Sequence, residues 1–136
     1  MLATLISVLC LSLFTPIISE APNEKVFNQW GDLLAEHFNL EDMELITQII
    51  WCESRGKETA RNPKGSAGGL FQIIKKTAQY VAPKVGKDPS TEQMKSGIRF
   101  NAYWNVRMSA WLFYKTPQGV GHWNESKSCW RNYDNQ

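Results

Sequence analysis

The chain has 136 residues, of which 15 are basic and 13 acidic, so its formal net charge is only +2. Hydrophobic residues make up 43% of the chain and six residues are Trp, a composition that excludes intrinsic disorder, a collagen-like chain and an acidic tail protein. A nucleic-acid-binding domain would carry a stronger basic excess and a recognisable module. We therefore expect one folded domain that does not bind nucleic acid.

An uncharged apolar segment opens the chain and runs from Met1 to Ile18, interrupted by Pro16. This pattern predicts a secretory signal peptide over residues 1–19, with cleavage after Ser19. A signal anchor is the alternative, but the shortness of the segment and Pro16 favour cleavage. The expected product is a secreted, extracellular domain over residues 20–136 that does not remain inserted in a membrane and is monomeric.

Three cysteines are present, and Cys10 would leave with the signal peptide. The mature chain would keep Cys52 and Cys129 in an oxidising compartment. An even pair in that setting suggests a disulfide, and two free buried thiols are the alternative.

Apolar residues of the mature chain recur mostly at helical spacing, which predicts a mainly α domain. The first helix should carry a stripe from Val26 to Phe38 and close at Asn39. The second should follow at once, with negative charge in its first turn and Ile46, Ile49 and Ile50 on its inner face, and end near Glu53.

Turn-forming residues dominate positions 55–69 and predict a long loop there. A third helix is expected over residues 75–81, before Pro83. A capping-box sequence from Ser90 predicts another helix, and one more should cover residues 101–115. We expect an irregular, aromatic stretch over residues 120–136.

Glu53 is the strongest candidate for chemistry, because helical spacing places it on the same face as the three isoleucines. An apolar setting penalises an ionised carboxylate, so the pKa of Glu53 should rise, as a general acid near neutral pH requires. The alternative is an exposed Glu at a frayed helix end, which is the commoner situation for a lone Glu.

Several segments around Glu53 resemble the soluble lytic transglycosylase and goose-type lysozyme group. They are the Glu53-Ser54 pair at a helix end, residues 65–73 with Gly-Leu-Phe-Gln-Ile at their close, and residues 105–112. The end of the domain, residues 119–123 with Cys129-Trp130, is similar to actinobacterial lysozyme-like domains, in which a cysteine just before the catalytic Glu pairs with one near the C-terminus.

The resemblance implies a lysozyme-like α+β fold, mainly α, with a long Gly-rich loop or minimal β region beside the active-site helix. It implies a muramidase that cleaves the β-1,4 bond between N-acetylmuramic acid and N-acetylglucosamine in bacterial peptidoglycan, with Glu53 as the catalytic acid. Cys52 and Cys129 occupy the positions of the paired cysteines. Gln72 matches the group's substrate-lining Gln, although a structural amide that holds the loop is the alternative. Ser66, in the same segment, is a further substrate-binding candidate.

A second carboxylate would be needed for simple hydrolysis. The loop after Glu53 offers only Glu58, and Asp88 and Glu92 are remote alternatives. A site with one carboxylate would resemble the lytic transglycosylases, in which the 6-hydroxyl of muramic acid attacks intramolecularly. The tyrosine-asparagine motif of those enzymes is absent, and Tyr103 or Trp123 is the expected substitute.

Four Trp residues are candidates for stacking on sugars: Trp104, Trp111, Trp123 and Trp130. We expect two of them to pack in the core and Trp123 to present an exposed ring to the substrate groove, because its neighbours are polar and turn-like.

Two other functions remain open at this point. A thiol peptidase built on Cys52 and His122 is disfavoured by an oxidising compartment. The other is a secreted module that binds glycan without cleaving it. The one sequence feature that argues against it is Glu53 on an apolar helix face. No cofactor is expected, and no metal site either, because His37 and His122 lie far apart and neither belongs to a metal-binding spacing.

Overall fold

The computed structural model describes residues 20–88 and 97–131, and this part of the chain is mainly helical. The α-helices are α1 (Pro22–Ala35), α2 (Met43–Ser54), α3 (Lys75–Val81), α4 (Ala102–Lys115) and α5 (Lys127–Trp130). Short 3-10 helices occur at Leu40–Asp42, Ala82–Val85, Ile98–Phe100 and Gly119–Ser126. The expected mainly α, lysozyme-like architecture is confirmed.

Helix α2 is the centre of the fold and packs against α1, α5 and the 3-10 helix Gly119–Ser126. Its face with Ile46, Ile49 and Ile50 is fully buried, at 0% exposure for each side chain. Burying one such side chain stabilises a fold by about 1.5–3 kcal/mol, so this face holds the helix firmly in place. The helix ends where Arg55 takes a left-handed conformation with φ 57°.

The long loop between α2 and α3 contains turns and bends and no helix, as predicted. It contains two isolated antiparallel bridges, Arg61 to Gly68 and Gly68 to Ile73, which correspond to the minimal β region. Leu70 and Phe71 anchor the loop in the core with exposures of 0% and 1%.

Gly69 lies where the loop touches the segment before α4, and its backbone has φ +81°. A Cβ at this position would lie 1.9 Å from the Arg99 carbonyl oxygen and 2.3 Å from Nδ2 of Asn105, so Gly69→Ala combines backbone strain with a backbone collision. We expect it to lower the free energy of unfolding by about 3 kcal/mol or more in urea denaturation.

Gly86 is the matched control for this substitution. It also has a left-handed backbone, with φ +87°, but a Cβ there would meet nothing within 4 Å. Gly86→Ala should therefore cost only the strain, about 1 kcal/mol. Equal losses for the two variants would contradict a close contact at Gly69.

Most helix positions agree with the expectations, and two do not. The first helix ends at Ala35 and not at Asn39, and residues 36–38 form a turn and a bend that still bury Phe38. The helix over residues 75–81 is confirmed with the same bounds, and α4 begins one residue after Asn101, whose side-chain oxygen accepts a hydrogen bond from the Trp104 N–H at 3.2 Å. The expectation of an irregular end is wrong for residues 120–130, because they form a 3-10 helix followed by α5, and residues 132–136 lie outside the described residues.

The physical reason lies in the two Trp residues of this stretch. Trp123 and Trp130 are buried, and the Trp130 indole N–H donates to the Trp123 carbonyl at 3.1 Å. A 3-10 helix with non-helical backbone angles at Trp123 carries no 3.6-residue periodicity by which a sequence pattern would reveal it.

Two predicted elements, the signal peptide over residues 1–19 and the helix starting at Ser90, lie outside the described residues. Among residues 20–88 and 97–131, no helix is long and apolar enough to cross a membrane.

Candidate active site

A cleft of about 770 Å³ lies beside the C-terminal end of α2. One wall is the loop after α2, and the other is the 3-10 helix Gly119–Ser126. The side chains that face it are mostly polar, and they include Glu53, Asn62, Gln72, His122, Glu125 and Ser126. The cleft therefore combines a carboxylic acid with groups that can hydrogen-bond a polar ligand.

Glu53 is partly buried at this cleft. Its Oε1 accepts a hydrogen bond from the Ser126 hydroxyl at 2.5 Å. Burial raises the pKa of the Glu53 carboxyl above its ordinary value; the Ser126 hydrogen bond opposes this increase and the nearby Glu125 carboxylate adds to it. The expected rise is confirmed in direction, so Glu53 keeps its proton at higher pH than a solvent-exposed Glu does.

The raised pKa has a consequence for stability. The folded state binds the Glu53 proton more tightly than the unfolded state, so this group lowers stability as pH rises from the unfolded pKa through the folded one. Glu53→Gln, which cannot ionise, should therefore be more stable than the native chain at neutral pH. Urea unfolding at pH 3 and pH 7 checks this: the variant's advantage should be absent at pH 3, and an advantage that does not depend on pH would contradict it.

The residue before Glu53 forms the predicted disulfide. Cys52 is bonded to Cys129, 77 residues later in the chain, and the bond joins α2 to α5. Pairing of Cys52 leaves it without the thiol that a Cys52–His122 peptidase needs, so that alternative is wrong. His122 instead places Nε2 2.8 Å from the Thr116 hydroxyl oxygen, and burial lowers its pKa.

Asn105 of α4 holds the loop wall of the cleft from behind. Its side chain is fully buried, its Oδ1 accepts from the Phe71 backbone N–H at 3.0 Å, and its Nδ2 donates to the Gly68 and Arg99 carbonyls at 3.1 and 2.8 Å. An amide suits this position because it supplies both donors and an acceptor.

Gln72 lines the cleft, but its side-chain Nε2 donates to the Ala60 carbonyl at 3.2 Å and to the Gly69 carbonyl at 2.9 Å. Its backbone takes a left-handed conformation with φ 50°. The Gln72 amide therefore holds the loop, which is the alternative to substrate binding that the sequence left open. Contact between Gln72 and substrate stays a prediction.

Trp123 lines the cleft, but the expectation of an exposed ring is wrong. The side chain is only 5% exposed, its ring centroid lies 5.5 Å from that of Phe71, and its indole N–H donates to the Phe71 carbonyl at 3.0 Å. Packing on the loop outweighs the polar character of its sequence neighbours. The indole ties one wall of the cleft to the other.

Two other predicted substrate-binding residues do not line the cleft. The Ser66 hydroxyl accepts from the Lys75 backbone N–H at 3.1 Å, at the start of α3. The ring of Tyr103 packs against His37 at 5.6 Å between centroids, and its hydroxyl accepts from Arg107 at 2.9 Å. Contact of Ser66 or Tyr103 with substrate stays a prediction.

Among the described residues, the second carboxylate at the cleft is Glu125, which the sequence pattern did not single out, while the candidate Glu92 lies outside the described residues. Glu58, the carboxylate expected from the loop, is not among the cleft residues. Glu125 lines the cleft and lies close enough to Glu53 to raise its pKa. It follows Trp123 by two positions, on the wall that the disulfide brings next to α2.

Two of the four Trp candidates are buried in the core, which is the expected number, although Trp123 is one of them. Trp123 and Trp130 belong to the core, whereas Trp104 and Trp111 are partly buried on its surface. Trp111 lines a second, mostly apolar cavity beside the first one.

The model of the family described as transglycosylase SLT domain matches residues 35–129, well over half of the chain. The chain belongs to this family. The matched range contains Glu53, the loop wall and both cysteines of the disulfide, so it includes the whole cleft. No curated protein matches the chain.

Members of the SLT family cleave peptidoglycan, which identifies the chain as an SLT domain of the peptidoglycan glycosidase type. In the part of the SLT domain that the structure describes, no group of three or more His, Cys, Asp or Glu side chains is placed to hold a metal ion.

Proposed function

We propose that this SLT domain is a secreted muramidase which cleaves the β-1,4 bond between N-acetylmuramic acid and N-acetylglucosamine in bacterial peptidoglycan. The observation that supports this most strongly is the Glu53 carboxyl, which is partly buried in a polar cleft and has a raised pKa. A raised pKa keeps a larger fraction of the carboxyl protonated than an exposed Glu would, and this favours donation of its proton during the reaction.

In this mechanism Glu53 protonates the glycosidic oxygen as the bond to the muramic acid C1 breaks. The resulting oxocarbenium-like centre is then captured by a hydroxyl, and the Glu53 carboxylate takes the proton that this hydroxyl releases. Water as the nucleophile gives a reducing end. The 6-hydroxyl of the same muramic acid gives an anhydro sugar.

The position of Glu125 keeps the hydrolytic route available, because a second carboxylate at the cleft can activate water or stabilise the sugar cation. The intramolecular route requires only Glu53. Both routes use Glu53 as the acid. The chemical structure of the product therefore distinguishes hydrolysis from intramolecular capture, whereas the assignment of Glu53 does not.

Mass spectrometry of the soluble products from bacterial peptidoglycan, treated with residues 20–136, tests the proposal. Muropeptides with anhydro-muramic ends would indicate intramolecular capture, and products heavier by one water would indicate hydrolysis. Binding to peptidoglycan without any glycan release would contradict the enzyme and support the glycan-binding module. A secretion assay on the full chain, with N-terminal sequencing of the exported protein, tests the cleavage after Ser19.

A further inference from the structure

Ser126 is the residue that the proposed mechanism does not yet use, although its hydroxyl contacts the catalytic carboxyl directly. Its Oγ lies 2.5 Å from Oε1 of Glu53 and 3.1 Å from the Trp123 carbonyl oxygen. A hydroxyl has a single hydrogen, so these two oxygens compete for one donor.

The Trp123 carbonyl is itself held in place. It also accepts from the Trp130 indole at 3.1 Å, and Trp130 adjoins Cys129, the disulfide partner of Cys52. Covalent bonds connect Glu53 through the Cys52–Cys129 disulfide to Trp130. Hydrogen bonds then connect Trp130 to the Trp123 carbonyl, and Ser126 to both that carbonyl and Glu53. The Ser126 hydroxyl therefore reaches Glu53 from a fixed direction.

We propose that Ser126 is a positioning residue that engages Oε1 of Glu53 and so leaves Oε2 to carry the catalytic proton. This inference rests on the proposed function. In the acid form the carbonyl-type oxygen of a carboxyl accepts hydrogen bonds, whereas the protonated oxygen donates. A donor fixed at Oε1 therefore favours protonation at Oε2, and no change in the protonation of Ser126 is required.

The same contact serves the second half of the reaction. After Glu53 has given up its proton, the Ser126 hydrogen bond becomes charge-assisted and strengthens. Before that step the bond is weaker, but the shorter distance of 2.5 Å to Oε1, against 3.1 Å to the Trp123 carbonyl oxygen, keeps the hydroxyl hydrogen directed at Oε1. Ser126 can thus remain hydrogen-bonded in both protonation states of Glu53.

Within residues 20–88 and 97–131, three charged or titratable side chains share the cleft with Glu53. Glu125 and His122 belong to the 3-10 helix Gly119–Ser126, and Arg61 belongs to the loop. Glu125 and Ser126 influence Glu53 in opposite directions, since the carboxylate disfavours ionisation and the hydroxyl favours it. Substitutions at these two adjacent residues should therefore shift the pKa of Glu53 in opposite directions. General damage to the site would not produce opposite shifts.

The experiment compares Ser126→Thr with Ser126→Val, which have nearly the same shape but differ in the hydroxyl, and adds Glu125→Gln. The pH profiles of kcat and of kcat/KM are measured on uncrosslinked glycan chains. We expect Ser126→Val to lower kcat about ten-fold relative to Ser126→Thr and to move the alkaline limb to higher pH, because the loss of the hydrogen bond raises the pKa of Glu53. Glu125→Gln should move the same limb to lower pH.

A ¹³C NMR titration of the Glu53 carboxyl in the oxidised protein gives a readout that is independent of activity. The midpoint should be higher in Ser126→Val than in Ser126→Thr. Equal midpoints in the two variants, or shifts in the same direction for Ser126→Val and Glu125→Gln, would overturn the role of Ser126. Absence of glycan cleavage by the native protein would instead contradict the proposed function, and the titration would still decide the Ser126 contact.

Discussion

Glu53→Gln is expected to abolish peptidoglycan lysis, with at least a thousand-fold loss of kcat, while the fold persists. The amide keeps the size of the side chain but carries no transferable proton, and general acid–base catalysis contributes about 10²–10⁴-fold to a rate. The loss should fall on kcat rather than on KM, because the substitution leaves the cleft shape and its other polar groups unchanged. Release of soluble muropeptides, followed by mass spectrometry, is the measurement.

Glu44→Gln is the matched control for this variant, because it makes the same chemical change at the opposite end of α2. Glu44 is exposed and does not line the cleft. We expect it to keep native activity and near-native stability. Lysis by Glu53→Gln at the native rate would exclude Glu53 as the acid and, with it, the proposed mechanism.

Removing the Cys52–Cys129 disulfide should cause a large loss in the free energy of unfolding. The bond closes a loop with a sequence separation of 77 residues. In the chain-entropy model, closing a loop of that size stabilises the folded state by about 4 kcal/mol. The double variant Cys52→Ser/Cys129→Ser should lose about this much free energy of unfolding in urea.

Activity should fall with the bond as well, because it holds α5 and Trp130 next to the residue before Glu53. The native chain treated with a reductant is the control and should match the double variant in both stability and kcat. A double variant as stable as the oxidised chain would show that other contacts already fix the two helices.

Sequence patterns predicted the helices well where burial is periodic. The isoleucine face of α2 and the Pro83 stop after α3 each follow from a local rule, and the structure agrees with both. The disulfide followed from counting cysteines. Glu53 combined two independent signals, an apolar helix face and a resemblance, which is why its raised pKa could be anticipated.

The same rules did not predict the second wall of the cleft. Trp123 looked exposed because Gly121 and Asn124 flank it, but its packing on Phe71 is a contact between residues 52 positions apart. Glu125 and Ser126 follow no local pattern with Glu53, because Ser126 lies 73 positions away in the chain and reaches Glu53 only through the tertiary fold. The signal was available in the disulfide, since Cys129 bonded beside Glu53 brings the preceding turn close to the acid.

The loop wall behind Gln72 is ordered before any sugar arrives, because Asn105 satisfies its backbone groups and Gly69 fits against the Arg99 carbonyl. Little conformational entropy remains for this wall to lose when a ligand binds. Most of the conformational entropy lost on binding is then that of the glycan strand. We therefore expect binding of chitin-like oligosaccharides to the Glu53→Gln protein to proceed in a single kinetic step, with amide exchange of the loop hardly slower in the complex than in the free protein.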